Sequence, residues 1–163
     1  MALEMTSAPA MVIFFSGMLH ASITDMKHRR IANLTIVALL LLWLPIALIA
    51  GLPVQAMITS ISAAVLVFIL GFVCFCLGWA GGGDVKLAAT AALWLGAAIT
   101  PAYLMLSAIF GALIALVFIA IAYLKRRRGD PVRTEALMLP YGPGLASAAV
   151  VLFGDSQWFT QIP

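Results

Sequence analysis

Residues 54–79, VQAMITSISAAVLVFILGFVCFCLGW, run for 26 positions without a charged side chain. A helix that crosses the roughly 30 Å hydrocarbon core of a bilayer needs about 20 largely apolar residues, and this stretch has more than enough. With no water in that core, every backbone N–H and C=O must be satisfied inside the segment, so the stretch reads as a helix. The rest of the chain has the same character. Of 163 residues, 64% are apolar and 9% charged, whereas a soluble domain carries roughly a quarter charged residues. An ordinary soluble domain is therefore excluded. The net charge of +3 is spread over too few residues to form a nucleic-acid surface, so no nucleic-acid partner is expected.

Working outward from this run, charges and Gly/Pro clusters divide the chain into six candidate spans. They are Ser7–Thr24, Leu34–Gly51, Val54–Trp79, Val85–Thr100, Ala102–Leu124 and Leu139–Phe153. The expected fold is an all-α integral membrane protein of about six transmembrane helices, forming a single membrane domain over residues 1–163. The basic residues test that count. Lys27, Arg29 and Arg30 lie between spans one and two, and Lys86 follows the break between three and four. Lys125, Arg126, Arg127, Arg128 and Arg133 lie between five and six. All nine Lys and Arg residues thus fall on alternate connections, which the positive-inside rule places in the cytoplasm, with both termini outside.

The first ten residues, MALEMTSAPA, lack the positive region of a cleaved signal peptide, so the first span is expected to be retained. KRRRGDPVRTEA, residues 125–136, reads as a solvated orientation signal. Cys74 and Cys76 stand two apart in an apolar run, a spacing that suits neither a disulfide framework nor a zinc site. They read as core or lipid-facing thiols, and no metal or cofactor is called for.

Of six acidic residues, Glu4, Asp130, Glu135 and Asp155 sit in polar termini or in the long connection. The other two stand at span ends. Asp25 closes the first span, in SITDMKHRRIAN, and Asp84 opens the fourth, in GWAGGGDVKLAAT. The expected topology brings both to the cytoplasmic side at similar depth, and ionisable residues at membrane depth are functional candidates by default. The fourth span, 16 residues and about 24 Å long, is shorter than the hydrocarbon core, so Asp84 is expected in a wet cavity open to the cytoplasm. Gly81, Gly82 and Gly83 permit close backbone approach there, although Gly-Gly-Gly-Asp is also an ordinary turn with a capping residue.

Two carboxylates facing one wet pocket cannot both ionise cheaply and can share a proton. One then takes a proton from water while the other, protonated, hydrogen-bonds the scissile carbonyl, which is aspartic proteolysis. Helix position makes Asp84, which begins its helix with Lys86 two residues on, the more readily ionised of the pair. Other chemistries find no support: there is no HExxH motif, no phosphate-binding loop and no dinucleotide fingerprint. His20 reads as a satisfied polar contact and His28 as an interfacial residue. A small transporter with an ion or proton site at Asp25, Asp84 and Lys86 is the alternative. Against it, both aspartates lie toward one face and no further charge continues a path. A non-catalytic assembly subunit is a third reading.

These residues resemble the motifs of the type IV prepilin peptidases, membrane aspartic proteases of the GxGD type. Asp25 with Ile31, Ala32 and Asn33 is similar to the family's DxxxxxIPN, with Ala32 in place of the proline. Gly81, Gly83, Asp84 and Lys86 match GxGDxK, and LPYGP at Leu139–Pro143 is a further family-like stretch. The resemblance implies that Asp25 and Asp84 are the catalytic pair. It also implies a prepilin substrate, cut between a short basic leader and an apolar helix that rests in the inner membrane. The paired CxxC segment of N-methylating members is missing, so the chain resembles the short peptidases of tight-adherence (Flp-type) pili, and methylation is not expected. Asn33 reads as a structural partner for a neighbouring helix. Pro140, Gly142 and Pro143 are expected to break a helix at the mouth of the sixth span, leaving irregular backbone beside the site.

Overall fold

The computed structural model describes residues 2–128 and 140–160, with side chains from residue 8 onward. Arg133, Asp130, Glu135, Leu139 and most of the 125–136 connection lie outside the described residues, as does the side chain of Glu4. The described chain is helical: α1 Ala2–His28, α2 Asn33–Ile49, α3 Val54–Cys76, α4 Gly82–Leu95, α5 Thr100–Arg127 and α6 Gly142–Leu152. A 3-10 turn at Phe153–Asp155 and the short α7, Gln157–Thr160, follow.

Each of the six expected segments overlaps one helix, and the ends differ for physical reasons. The fourth helix stops at Leu95 because Gly96 adopts a φ of +90°, a left-handed conformation that glycine tolerates. Pro101, the residue between the fourth and fifth expected spans, occupies the first turn of α5, where its missing N–H costs nothing. Similarly, α3 ends at Cys76 ahead of Gly78, whose φ is +76°. Two of the three glycines before Asp84 belong to α4 itself. The first helix continues past Thr24 to His28, so Asp25 lies inside it, one turn before its end. Arg29 then turns the chain with a φ of +53°, its N–H closing on the Asp25 carbonyl at 2.8 Å. Ala32 has a φ of −65°, the value a proline ring would impose, so replacing the motif's proline leaves the backbone on course. At the last break, Gly142 and Pro143 lie in the first turn of α6, and the described residues just before it, Pro140 and Tyr141, are non-helical.

Among the described residues two helices, α3 and α5, are long and apolar enough to cross a membrane, whereas α2 is apolar but only 17 residues long. Both long helices present large apolar side chains outward, among them Ile61, Leu66 and Phe72 on α3 and Leu113, Leu116 and Ile119 on α5. Such continuous apolar surface is stable only against lipid or another protein. Several polar side chains are buried, among them Asp25, Ser60, Thr90, Ser107 and Gln157.

At the centre stands α4, short and buried from Ala89 to Leu95. Phe14 of α1 stacks on Phe153 at 4.8 Å and meets Trp94 of α4 at 5.5 Å, and Trp94 meets Trp158 at 5.4 Å. Small residues let the helices close. A Cβ at Gly71 of α3 would lie 2.8 Å from Val85 Cγ1 on α4, and one at Gly17 of α1 would lie 2.7 Å from Leu39 Cδ2 on α2. Gly144 of α6 sits against the backbone of Gly111 on α5, a Cβ there falling 3.0 Å from the Gly111 nitrogen. Small-on-small contacts of this kind drive helix association where lipid removes the hydrophobic incentive.

Candidate active site

Asp25, carried one turn from the end of α1, is 6% exposed, and its Oδ2 accepts a 2.8 Å hydrogen bond from the backbone N–H of Gly142 at the start of α6. That donor is free because the first turn of a helix leaves its N–H groups without partners inside the helix. Asp84 stands in the first turn of α4, half-buried, with its carboxylate folded back over Gly81. A Cβ at Gly81 would lie 2.7 Å from Asp84 Oδ2, so glycine makes that orientation possible. The helix N-cap is Gly81, and Asp84 is the third residue beyond it, the position from which an acidic side chain reaches back to the cap N–H.

Asp25 is held by Gly142, and the adjacent Tyr141 lines the cavity at Asp84, so the two carboxylates border the same turn. Their motifs also touch: Gly83 faces Ile31, where a Cβ would come within 3.3 Å of Ile31 Cβ. A cavity of about 600 Å³ opens at Asp84, walled by Gly81, Ser107, Tyr141, Leu145 and apolar side chains of α3. Asp25 does not line this cavity; it is held by Gly142, the residue next to Tyr141. The buried Pro140 precedes them in non-helical backbone.

Lys86 and Asn33 are brought together elsewhere. Lys86 Nζ donates to Asn33 Oδ1 at 3.2 Å, and both line a separate groove of about 640 Å³ between α2, α3 and α4. Two positions along a helix are opposite sides of it, so Asp84 and Lys86 look into different cavities. This corrects the sequence argument that set Lys86 beside Asp84. Asp25, near the end of its helix, takes its donor from another helix, the Gly142 N–H of α6. His20 Nδ1 meets Thr35 Oγ1 at 2.6 Å between α1 and α2. Cys74 and Cys76 are free thiols.

Two residues of this region escape sequence reasoning. Ser107 lines the Asp84 cavity together with Tyr141 of the LPYGP stretch, and Gly111 receives the Tyr141 ring. Arg29, read only as an orientation charge, places its guanidinium 5.3 Å from the Phe118 ring and so ties the α1–α2 link to α5. Only the spacing of Ser107 and Gly111, four apart on one helix face, hints that they act together.

A sequence model of the type IV leader peptidase family matches residues 12–116, which include Asp25, Gly81, Gly83, Asp84 and Lys86. The match spans well over half of the 163 residues. The chain belongs to the type IV leader peptidase family. No curated protein and no solved structure matches it. The peptidase is a hydrolase and a membrane protein, with α3 and α5 long and apolar enough to span. The matched region ends on α5, so α6 and its Gly142 contact to Asp25 come from beyond it.

Proposed function

We propose that this peptidase is a prepilin leader peptidase of the aspartic type, in which Asp25 and Asp84 together activate water. The observation that carries the reading is the convergence of the two carboxylates, from the end of α1 and the start of α4, around Tyr141 and Gly142 beside an open cavity. One carboxylate removes a proton from water and the resulting hydroxide attacks the scissile carbonyl carbon. The other, protonated, donates to the carbonyl oxygen. Collapse of the tetrahedral intermediate breaks the C–N bond, and the departing amine takes up a proton. The pair titrates as a unit, and no single residue is assigned as base. Gly81 and Gly142 shape the carboxylates' surroundings, whereas Lys86 and Asn33 brace α4 against α2.

In this reading residues 1–163 form one polytopic domain in a bacterial inner membrane, with six spans, both termini outside and the aspartates at the cytoplasmic face. The cavity beside apolar α3 then admits the basic leader junction of an Flp-type prepilin from the water side. The substrate's apolar helix stays in lipid. The test is cleavage of a membrane-inserted prepilin-like substrate by the parent, Asp25→Asn and Asp84→Asn, each first shown to accumulate in the membrane. Loss of cleavage in both single variants is expected. Retention in either removes that aspartate from the mechanism, and failure of the folded parent on several pilins turns the reading toward carboxylate-based transport.

A further inference from the structure

The ring of Tyr141 occupies a notch that only glycine can leave open. An ideal Cβ at Gly111 would fall 2.0 Å from Tyr141 Cε2 and 2.6 Å from Cζ, contacts no neighbour can absorb without leaving its place. One turn away on the same face of α5, the carbonyl of Ser107 accepts from Tyr141 Oη at 3.3 Å. The long distance makes this bond weak, so the seat in the notch is the principal constraint. The two helices also meet directly, with Gly144 of α6 against Gly111. Tyr141 is the N-cap of α6, and the next N–H along the chain, that of Gly142, is the donor to Asp25 Oδ2. The same tyrosine walls the cavity of Asp84. A single side chain thus joins α5, the start of α6 and the surroundings of both carboxylates.

We propose that Tyr141 is a positioning residue: its ring, seated at Gly111, fixes the Gly142 N–H against Asp25 and thereby the placement of Asp25 relative to Asp84. The inference rests on the aspartic reading given above. It takes no part in the chemistry itself, and it acts on kcat because a reacting group displaced by about 1 Å can lose about 10²-fold in rate.

The experiment is a double-mutant cycle on cleavage, with Gly111→Ala, Tyr141→Ala and the double variant, plus Tyr141→Phe. Membrane accumulation of each is checked first. Gly111→Ala and Tyr141→Ala are each expected to lower kcat by at least about tenfold with KM unchanged. The double variant should be no worse than Tyr141→Ala, because both changes break the same contact. Tyr141→Phe keeps the ring and is expected to retain kcat within about threefold. Losses that multiply in the double variant, a Tyr141→Phe as damaged as Tyr141→Ala, or a Tyr141→Ala with parental kcat would each overturn the proposal. A second readout separates it from the reading it rests on. The Gly142 amide proton resonance, followed with ¹⁵N-labelled glycine, should move upfield in Gly111→Ala, and an unmoved resonance overturns the lock. If the parent cleaves nothing, or Asp84→Asn still cleaves, the aspartic reading has failed, while the amide shift still decides whether the lock exists.

Discussion

The backbone N–H of Gly142 donates a 2.8 Å hydrogen bond to Oδ2 of Asp25, 117 positions earlier in the chain. The contact is buried, and it ties α1 to the start of α6. A backbone donor at a helix start has no partner within its own helix and is free to hold the carboxyl group in one orientation.

Replacing Gly142 by alanine should disable the site without disturbing the helix start. Its Cβ would lie 2.8 Å from Asp25 Oδ2, 3.0 Å from Asp25 Cβ and 3.1 Å from Cγ, so the whole carboxyl group must move. Cleavage by Gly142→Ala is expected to fall about 10²-fold, measured as kcat on a membrane-inserted prepilin.

Gly81→Ala acts on the other carboxylate. The added Cβ would meet Asp84 Oδ2 at 2.7 Å, while Gly81 itself has an ordinary φ of −75° that alanine adopts freely. The carboxylate is displaced and the backbone is not. A loss of at least about tenfold in kcat is expected, with thermal stability close to that of the parent. Gly154→Ala, which meets nothing within 4 Å, is the matching control and should cleave normally.

Lys86 and Asn33 should behave as one structural contact. Their hydrogen bond is exposed and lies in the groove between α2, α3 and α4, away from the Asp84 cavity. Exposed pairs contribute little, so Lys86→Met and Asn33→Ala are each expected to change kcat by less than about threefold. The double variant should match either single one. A pH–rate profile of Lys86→Met whose acid limb follows the parent would agree, whereas a displaced limb would return Lys86 to the carboxylates.

At the other end of α4, Gln157 donates to the carbonyls of Leu93 and Trp94 at 2.9 and 3.1 Å and pairs with Ser60 Oγ. Gln157→Leu leaves buried acceptors without these donors. The expected loss is about 1–3 kcal/mol of stability, seen as a lower Tm in detergent. Activity at a permissive temperature should persist, because the network is remote from Asp84.

The hydropathy pattern makes the helices legible, since a 26-residue uncharged run admits little else. The ends are less legible because breakers act through conformation. Pro101 stands between two expected spans and lies in the first turn of α5, whereas Gly96, with its positive φ, is where α4 ends. Asp25 and Asp84 stand out as charges at the ends of apolar runs. Tyr141 is marked only as part of the LPYGP stretch, and Gly111 not at all, because a glycine in an apolar helix carries no local signal until the helices meet.

By itself, then, the sequence determined that the chain is helical, that its solvent is largely lipid, and that two carboxylates stand at helix ends in the motifs of one family. Local composition suffices for this, because transfer of a segment into lipid depends on its own side chains and its own backbone bonds. Tertiary structure alone decided that Gly142 donates to Asp25, that Lys86 faces Asn33 rather than Asp84, and that Tyr141 seats at Gly111. Those outcomes depend on how closely and at what rotation helices approach. In lipid the approach is set by small-residue contacts such as Gly111 on Gly144 and Gly71 on Val85, which hydropathy does not record.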